Sequence, residues 1–415
     1  MTVFLQTFGC RLNQAESTHI LAAFEHAGFR RVAFGEPADV IIMNSCTVTQ
    51  KAEAECLKVL HNLRAAQPNA CLVLTGCVPT TCGPDALRGL ADVVVPQSEK
   101  DNLLAIVVRH LGQEMPAAGP SSFPMPHTQR ALLKVQDGCP FACAYCIVPH
   151  ARGNVSRSRP LDDCLAEARA LIEGGFQEIV VTGCNTACYG DGGRNLIDLL
   201  RALLALPGLG RLRLGSLEPG TLERDIVRLM LDDPKLCRYL HLPIQSGDDG
   251  TLRLMGRRYT VDSVKRFLDE TYNLIPDISI GTDIITGFPG ETEVAFLNSS
   301  AFVESYLFSK VHVFPYSGRP QTAAPEMPGQ VEAWRRKQRA QKFMQIADDA
   351  RQTYMRRFIG RPVTLLIEKY AKDGRATGWS AEYLPCAVSD APPGLRRALY
   401  TFTPARVCDD MLVNI

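Results

Sequence analysis

Short apolar segments alternate with amphipathic helical segments along most of the chain, and this alternation restricts the fold more than any other feature. Before residue 112 the strand-like runs are Val3–Phe8, Asp39–Met43, Cys71–Thr75 and Asp92–Val95. Strands that alternate with helices pair in parallel, because each crossover helix returns the chain to the same end of the sheet. The N-terminal part is therefore predicted to be an α/β domain with a doubly wound parallel sheet.

The alternation resumes after a segment rich in Pro, Gly and Ser (Gly112–Thr128), which reads as a linker. Six more strands are predicted, at Ala131–Gln136, Glu178–Thr182, Arg211–Gly215, Tyr239–Pro243, Ser279–Ile284 and Ser309–Val313. Six consecutive βα units without a dinucleotide-binding fingerprint predict a parallel barrel, open or closed. The central part is therefore expected to be a (βα)6-type partial barrel.

The character of the chain changes again near its C-terminus. A basic helix is predicted from Val331 to Phe358, followed by short strands at Val363–Glu368, Ala376–Ser380 and Leu399–Pro404. Such a tail is typical of a small antiparallel β-barrel, a class that often binds oligonucleotides. The predicted division is thus an N-terminal domain at 1–112, a linker at 113–128, a barrel domain at 129–355 and a C-terminal domain at 356–415.

Composition narrows the class of protein. A chain of 415 residues has room for about three domains. No apolar run approaches the ~18 residues of a membrane span, and no basic, apolar leader begins the sequence, so we expect a cytoplasmic protein without a membrane partner. The net charge of +1 gives no argument for nucleic-acid binding from bulk charge. The 15 cysteines, in a chain of this kind, point to metal binding or catalysis.

The sharpest cysteine pattern is C-x3-C-x2-C, formed by Cys139, Cys143 and Cys146 after the first barrel strand. Thiolate sulfur is the ligand of iron–sulfur clusters, and three cysteines hold a four-iron cube while one iron stays open. This spacing, with the aromatic Tyr145 before the last cysteine, is the signature of radical S-adenosylmethionine (SAM) enzymes. The alternative is a zinc knuckle completed by His150.

A second set of cysteines follows from the strand assignment. Cys10, Cys46 and Cys77 come just after the first three N-terminal strands, and the carboxyl ends of adjacent parallel strands meet in one crevice. Three thiols there predict a second cluster; the alternative is three buried small hydrophobes. Cys82 competes with Cys77 for this role. Cys184 and Cys188, after the second barrel strand, are either packed thiols or a resting-state ligand of the second cluster.

At this point the sequence resembles the radical SAM methylthiotransferases over essentially its whole length. The resemblance rests on motifs that include Gly9-Cys10-Arg11-Leu12-Asn13, Asn44-Ser45-Cys46-Thr47, Gly76-Cys77, Gln136-Asp137-Gly138-Cys139, Ala151-Arg152-Gly153, Ser216-Leu217-Glu218-Pro219, Leu242-Pro243-Ile244-Gln245, Arg258-Tyr259-Thr260 and Thr286-Gly287-Phe288-Pro289-Gly290. It implies two 4Fe–4S clusters, SAM as cosubstrate, a central barrel and a C-terminal RNA-binding barrel of the TRAM type.

Members of this family attach a methylthio group to an unactivated carbon. The segments Val311–Ser317 and Gly378–Leu384 resemble the branch acting at C2 of N6-threonylcarbamoyladenosine 37, in the tRNA anticodon loop. The alternatives are the branch acting on N6-isopentenyladenosine 37 and the branch acting on a ribosomal-protein aspartate. A non-enzymatic iron–sulfur or zinc RNA-binding protein is an alternative from another class.

The resemblance also implies roles for individual residues. The cluster on Cys139, Cys143 and Cys146 would generate the radical, and the cluster on Cys10, Cys46 and Cys77 would carry the sulfur. A radical cofactor is needed because the C2–H bond is too strong and too weakly acidic for a side-chain base, so no catalytic side chain is assigned. The candidate SAM contacts are Tyr145, Asn185, Glu218 and Gln245. The expected partners are tRNA, a sulfur donor and an electron donor such as flavodoxin or ferredoxin, with the enzyme a monomer.

Two local concentrations of basic residues are candidates for RNA contact. From residue 332 to residue 361 there are nine Lys and Arg against three acids, and this run includes Arg335, Arg336 and Arg339. A second patch, beside the cysteine run, is formed by His150, Arg152, Arg157 and Arg159. We predict that both contact phosphates; the alternative is an ordinary solvated surface.

Overall fold

The structure is a computed structural model, and it describes residues 1–115, 123, 125–126, 128–221 and 223–415. Most of the predicted linker lies outside the described residues. The N-terminal elements are β1 (Thr2–Thr7), α1 (Arg11–His26), β2 (Arg30–Arg31), β3 (Val40–Ser45), α2 (Gln50–Ala66), β4 (Cys71–Gly76), α3 (Cys77–Cys82), β5 (Val93–Pro96) and α4 (Leu103–His110).

The N-terminal strands form one parallel sheet in the order β2-β1-β3-β4-β5. Helices α1 and α4 bury apolar residues such as Phe24 and Val107 against one face, and α2 buries Leu60 against the other. The prediction of a doubly wound sheet is confirmed. The strand order reverses between β1 and β3, and a crevice opens at the carboxyl ends of the strands at such a point. Cys10 and Cys46 follow these two strands.

The barrel region begins with β6 (Ala131–Lys134), which continues a similar alternation. Its further elements are β7 (Gln136–Asp137), α5 (Val148–Arg152), β8 (Arg157–Ser158), α6 (Leu161–Glu173), β9 (Glu178–Thr182), β10 (Gly190–Asp191), β11 (Arg194–Asn195), α7 (Leu196–Leu204), β12 (Arg211–Leu214), α8 (Glu223–Asp232), β13 (Tyr239–Gln245), α9 (Asp249–Leu254), α10 (Val261–Leu274), β14 (Ser279–Thr286), α11 (Glu293–Glu304), β15 (Lys310–Pro315) and α12 (Ala333–Arg356).

Six parallel strands of this region form a partial barrel, as predicted. They pair as β6-β9-β12 and β13-β14-β15, and a parallel bridge between Ser216 and His241 connects the two halves. Strands β6 and β15 are the two edges. Helix α1 of the N-terminal region contacts β6, so the N-terminal sheet lies beside this end of the barrel.

The C-terminal strands are β16 (Val363–Tyr370), β17 (Ala376–Ser380), β18 (Pro385–Val388), β19 (Leu399–Phe402), β20 (Arg406–Cys408) and β21 (Met411–Val413). They form one sheet in the order β19-β16-β17-β18-β21-β20, antiparallel except for the pair β18–β21. The predicted antiparallel C-terminal sheet is confirmed, with β18–β21 as its one parallel pair. Strands β18, β20 and β21 were not predicted. The β20–β21 hairpin turns through Asp409 and Asp410 (φ +48° and +58°) without the glycine that normally marks such a turn.

The C-terminal sheet covers the amino-terminal ends of the barrel strands. Arg211 and Arg213, on β12, donate hydrogen bonds at 2.8 Å to the carbonyl oxygens of Trp379 and Ser380, respectively. Both guanidinium groups also pair with the buried Glu178 of β9. The C-terminal sheet therefore packs directly against the barrel and is joined to it by the hydrogen bonds of these two arginines. Within the described chain, no helix combines the length and the apolarity that a membrane span requires.

Candidate active site at two cysteine loops

The three N-terminal cysteines lie where their parent strands end. Cys10 caps α1 after β1, Cys46 follows β3, and Cys77 is the first residue of α3 after β4. Gly9 has φ +87°, and a Cβ built on it would lie 2.4 Å from Cys46 Sγ. Glycine at position 9 therefore lets the Cys10 loop approach the Cys46 side chain closely, as a shared ligand set requires.

Buried polar side chains hold these three loops together. Asn13 Nδ2 donates to the carbonyl oxygens of Phe8 and Ser45, at 2.9 Å each, and so joins the loops after β1 and β3. Ser45 Oγ donates to the Thr75 carbonyl at 2.6 Å and accepts from the Val78 amide at 3.2 Å, which joins the ends of β3 and β4. Because each group is buried, breaking one contact would leave an unpaired polar atom, and the loops are held firmly.

The surroundings of Cys46 and Cys77 raise the pKa of both thiols. Burial, together with the neighbouring Cys77 and Cys10 thiols, raises the pKa of Cys46 to about 11. Burial also raises the pKa of Cys77, against the opposing charges of Arg152 and Lys100. Metal binding at such a site must release protons, so it is coupled to pH.

Cys82 is placed away from this group. It lies at the other end of α3, is exposed, and its Sγ is 3.9 Å from a carboxylate oxygen of Glu53. Cys77 is the α3 cysteine that interacts electrostatically with both Cys10 and Cys46. The geometry thus favours Cys77 over Cys82 as the third member of the set.

The loop with Cys139, Cys143 and Cys146 follows β7. Gly138 begins it with φ +74°, and the Cys139 amide donates to the Gly153 carbonyl at 3.0 Å. The Cys146 amide donates to the Cys143 carbonyl at 3.0 Å, which closes a tight turn between them. The last two cysteines are thereby brought to one side of the loop by backbone hydrogen bonds alone.

The spacing of the sulfur atoms bears on the kind of metal centre. In the described chain, the one set of three metal-ligating side chains with all ligand atoms within 4.8 Å is His241, Asp283 and His312; neither cysteine triad meets that limit. Tetrahedral ligands of a single zinc with Zn–S bonds of about 2.3 Å lie closer together than this. Neither cysteine triad is therefore preformed as a tetrahedral zinc site.

Arg257 organises the surroundings of the second loop, and sequence reasoning missed it. Its Nη1 donates to Cys143 Sγ and to the Tyr145 hydroxyl, both at 3.3 Å, and its Nη2 donates to Glu218 at 2.9 Å. A further bond at 3.0 Å goes to the Pro243 carbonyl. The one sequence signal was its position next to the family-like Arg258-Tyr259-Thr260. Its guanidinium contacts the Cys143 sulfur and orients two of the expected SAM contacts, Tyr145 and Glu218.

Three of the four expected SAM contacts surround this cysteine loop. Tyr145 and Glu218 contact Arg257, and Asn185 Nδ2 lies 4.0 Å from Cys139 Sγ. Burial raises the pKa of Glu218, against the opposing charge of Arg257. Gln245 ends β13 with φ +71°, a conformation that residues other than glycine rarely adopt.

Polar atoms at this site are available to hydrogen-bond SAM. Asn185 is buried, and its Oδ1 makes no hydrogen bond within the described chain. A buried acceptor without a donor is costly, and a ribose hydroxyl or an ammonium group of a ligand would satisfy it. Glu218 offers a second acceptor in the same place. These residues therefore suit a cosubstrate that carries hydroxyl and amino groups.

Comparisons with known proteins agree with this geometry. A family model described as the radical SAM superfamily matches residues 133–303, and one described as Uncharacterized protein family UPF0004 matches residues 2–95. Threonylcarbamoyladenosine tRNA methylthiotransferase MtaB of Thermotoga maritima is 35% identical over 92% of this chain and 90% of its own length. The protein of the same name from Bacillus subtilis is 30% identical over 90% of this chain and 86% of its own length.

The chain belongs to the radical SAM methylthiotransferase family. It is an enzyme of that type, and the family uses SAM and a 4Fe–4S cluster. A tRNA-2-methylthio-N(6)-dimethylallyladenosine synthase of Jannaschia is also 32% identical, over 95% of this chain and 89% of its own length. Among solved structures, the radical SAM methyltransferase TsrM of Kitasatospora setae has a TM-score of 0.56 at 15% identity, covering 76% of this chain and 74% of that one, which shows a shared fold.

An ion-pair network links the two cysteine loops of the methylthiotransferase. Arg152 ends α5, just after Cys146, yet its Nη1 donates to Glu16 of α1 at 2.9 Å and to Asp137 at 3.2 Å. It also donates to Asn13 and interacts with the Cys77 thiol. The side chain is buried, so this residue joins the barrel loop to the N-terminal sheet.

Arg152 was predicted to contact RNA phosphates, and its burial corrects that prediction. Its partner Glu16 is also held by Lys100 and Lys134, each at 2.6 Å. Arg159 of the same patch pairs with the buried Glu167 at 2.5 Å. Phosphate contact requires an exposed guanidinium, so only His150 and Arg157 of that patch stay available.

The position of Cys184 in the methylthiotransferase argues for a packed thiol. Its Sγ lies 3.2 Å from Asp137 Oδ1, and burial together with Asp137 raises its pKa well above the ordinary value. The Cys184 thiol is thus engaged by a carboxylate of the barrel region, which favours the packed-thiol alternative. Cys188 lies near Cys139, and burial also raises its pKa.

Proposed function

We propose that this methylthiotransferase adds a methylthio group to C2 of N6-threonylcarbamoyladenosine at position 37 of tRNA. The observation that carries the proposal is the pair of cysteine loops that Arg152 joins. A family enzyme needs a radical source and a sulfur carrier at one substrate, and the two loops supply one thiol triad each. The threonylcarbamoyl branch is supported by the two MtaB relatives at 35% and 30% identity.

The roles of the residues follow from their positions. Cys139, Cys143 and Cys146 would hold one 4Fe–4S cluster, and Cys10, Cys46 and Cys77 a second. Such a cluster, with one open iron, would supply the electron that cleaves bound SAM to a radical able to activate an inert C–H bond. Within this chain, Arg257 holds Glu218 and Tyr145 in place for SAM, and Asn185 offers a hydrogen-bond acceptor beside Cys139.

No side chain of the chain needs to act as a general base. The protein's contribution is to orient SAM and the adenine between the two loops and to keep water out of the radical site. The buried network around Glu16 and Arg152 fixes the distance between the loops, since moving one loop would strip charges of their partners. Gln245, in its strained conformation at the end of β13, is proposed as a fourth SAM contact.

RNA contact is assigned to the exposed part of α12 and to the C-terminal sheet, which would act as a TRAM-type module. Arg335, Lys337 and Lys342 are exposed on α12, whereas Arg339 is buried against Glu291 at 2.6 Å. The prediction that Arg339 contacts phosphates is therefore wrong. An anticodon loop suits this enzyme because its unpaired bases can be splayed into a cleft. We also propose that the enzyme uses a sulfur donor and an electron donor such as flavodoxin or ferredoxin. We propose further that it is a monomer in the cytoplasm.

The experiment that tests the proposal compares substrates in one assay. Anaerobically reconstituted enzyme is incubated with SAM, dithionite and either tRNA carrying N6-threonylcarbamoyladenosine, tRNA carrying N6-dimethylallyladenosine, or a ribosomal protein. Nucleosides and peptides are then analysed by mass spectrometry. The proposal expects a methylthio product from the first substrate alone. Product from the second or third would assign the enzyme to another branch, and SAM cleavage without any product would leave only the radical chemistry.

A further inference from the structure

Arg11 is placed unusually for a residue next to a cluster ligand. It directly follows Cys10 at the start of α1, yet its Nη2 donates at 2.5 Å to the hydroxyl of Tyr383 in the C-terminal region. Its guanidinium carbon lies 5.2 Å from the centre of the Tyr383 ring. The side chain therefore reaches from the sulfur-carrying loop towards the interior of the barrel, and it remains partly exposed.

Three barrel strands form the wall that faces Arg11. His241 of β13, Asp283 of β14 and His312 of β15 lie side by side, with their ligand atoms within 4.8 Å. Arg11 acts electrostatically on His312 and on Tyr239, which places its charge near this wall. His312 is exposed, although it belongs to the interior-facing row of an edge strand, so open space lies next to it.

The charges at this wall leave Arg11 without a carboxylate. No Asp or Glu in the described part of the chain forms an ion pair with it. Asp283, the nearest acid of the wall, is bonded to His241 at 3.1 Å. The two other arginines that lie over the Tyr383 ring do have an acidic partner: Arg213 shares Glu178 with Arg211, and Arg130 pairs with Glu368.

The same charges indicate which kind of ligand would bind. Burial lowers the pKa of His312, and Lys310, Arg11 and His241 lower it further against the opposing charge of Asp283. A divalent cation between these three side chains would be repelled by Arg11 and Lys310. An anion would instead be attracted by Arg11, with a neutral imidazole beside it.

The substrate proposed above carries such an anion. In adenine, N1 is bonded to C2 and to C6, and C6 carries the N6 nitrogen, so C2 and N6 lie on the same edge of the base. A residue adjoining the loop that brings sulfur to C2 is therefore on the correct side to meet a group on N6. A threonylcarbamoyl group ends in a carboxylate, whereas a dimethylallyl group has no charge.

We propose that Arg11 binds the carboxylate of the threonylcarbamoyl group, with His312 lining the other side of the same pocket. This inference rests on the proposed function and adds the residue that selects the substrate. Arginine suits the task because its planar guanidinium meets a carboxylate with two parallel hydrogen bonds. The Tyr383 hydroxyl holds one nitrogen of the guanidinium, which leaves its other donors for the ligand.

The test uses full-length reconstituted enzyme and two tRNAs. One carries N6-threonylcarbamoyladenosine, and the other carries the analogue in which the threonine carboxylate is replaced by a neutral hydroxymethyl group. We expect Arg11→Gln to lower kcat/KM on the natural substrate by about 10- to 100-fold, mainly through KM, since a hydrogen bond to a charged group is lost. On the neutral analogue wild type and variant should differ by only a few-fold. Arg11→Lys should restore part of the preference.

Controls separate substrate binding from folding. Arg228→Gln, an exposed arginine on α8, is the matched control and should behave as wild type on both tRNAs. Arg11→Gln should keep its iron content and its SAM cleavage in the absence of tRNA. A variant that loses iron or SAM cleavage together with activity would give Arg11 a structural role and overturn the inference.

The remaining outcomes distinguish this inference from the proposed function. If wild type acts on the threonylcarbamoyl substrate and Arg11→Gln still prefers it over the neutral analogue by the wild-type factor, the Arg11 assignment is wrong while the function stands. If wild type acts on dimethylallyladenosine and ignores threonylcarbamoyladenosine, the proposed function fails and the carboxylate assignment fails with it.

Discussion

Arg152 Nη1 donates to Glu16 Oε1 at 2.9 Å, although the two residues are 136 positions apart in the chain. Arg152 ends the short helix that follows Cys146, and Glu16 lies in the helix that Cys10 caps. This buried ion pair, with the further contacts of Arg152 and Glu16, thus connects the two loops on which the proposed chemistry depends. The relative placement of the loops is set by contacts within the chain.

This contact predicts a large loss of stability on substitution. Arg152→Gln leaves Glu16 and Asp137 with fewer cations in a buried place, so we expect the free energy of unfolding to fall by about 3–5 kcal/mol. The measurement is urea unfolding of the apoprotein. Arg169→Gln, at an exposed arginine on α6, should change it by less than about 0.5 kcal/mol. Equal effects of the two substitutions would show that the network contributes little to the free energy of unfolding.

The barrel strands carry a second buried network, and it predicts a dependence on pH. Burial alone would raise the pKa of Glu178, but Arg213 and Arg211 outweigh it and hold the pKa at about 2, against an ordinary value of 4.5. A carboxyl whose pKa is depressed on folding contributes stability above the unfolded pKa and loses it as the pH falls. The advantage of wild type over Glu178→Gln should therefore be constant down to about pH 4.5 and shrink below it.

Thermal unfolding at a series of pH values checks this. Glu270→Gln is the matched control, since Glu270 pairs with Arg224 on the surface, where ion pairs contribute little. It should match wild type at every pH. An advantage of wild type over Glu178→Gln that stays constant down to pH 3 would contradict the depressed pKa.

The cysteine loops predict the iron content of the enzyme. Two triads support about eight irons per chain after anaerobic reconstitution. Changing Cys139, Cys143 and Cys146 together to Ala should halve the iron and abolish SAM cleavage. Changing Cys10, Cys46 and Cys77 should halve the iron while SAM cleavage stays detectable. Full iron content in the second variant would remove the strand-end cysteines from the metal site, and Cys82→Ala should leave the content unchanged.

Much of this arrangement could be predicted from the sequence because it depends on strand ends. The alternation of apolar and amphipathic segments located β1, β3 and β4 within a few residues, and parallel pairing then required Cys10, Cys46 and Cys77 to lie in one crevice. The cluster site that begins at Cys139 could be predicted from the spacing of its cysteines and from the strand that precedes it. Strand alternation and cysteine spacing are local patterns, so they can be recognised in the sequence without knowledge of the tertiary contacts.

The partners of charged side chains could not be predicted in the same way. Arg152 and Arg339 have the sequence surroundings of exposed basic residues, and their carboxylate partners lie 136 and 48 positions away. Arg257 is equally inconspicuous until β12 and β13 bring Glu218 and Pro243 next to it. The tail was expected to be a separate RNA-binding barrel, but its Trp379 and Ser380 carbonyls accept hydrogen bonds from barrel arginines. These contacts depend on the tertiary fold alone.

The distinction between exposed and buried arginines on α12 predicts how RNA binding responds to salt. Each lost phosphate contact should reduce the slope of log affinity against log salt concentration by roughly one unit. Changing Arg335 and Lys337 together to Gln should therefore flatten the slope for tRNA, as measured by filter binding. Arg339→Gln should lower stability and leave the slope alone, because Arg339 is held by Glu291 and Glu293. A slope unaffected by the first pair would make α12 an ordinary solvated helix.

Nucleoside mass spectrometry of cellular tRNA tests whether this methylthiotransferase modifies threonylcarbamoyladenosine. A strain lacking the gene is compared with the same strain carrying either the wild-type gene or the Cys139→Ala variant. We expect 2-methylthio-N6-threonylcarbamoyladenosine to be absent without the gene, to return with wild type, and to stay absent with the variant, while threonylcarbamoyladenosine without the methylthio group accumulates. An unchanged level of that nucleoside in the deletion strain, or loss of the dimethylallyl derivative instead, would contradict it.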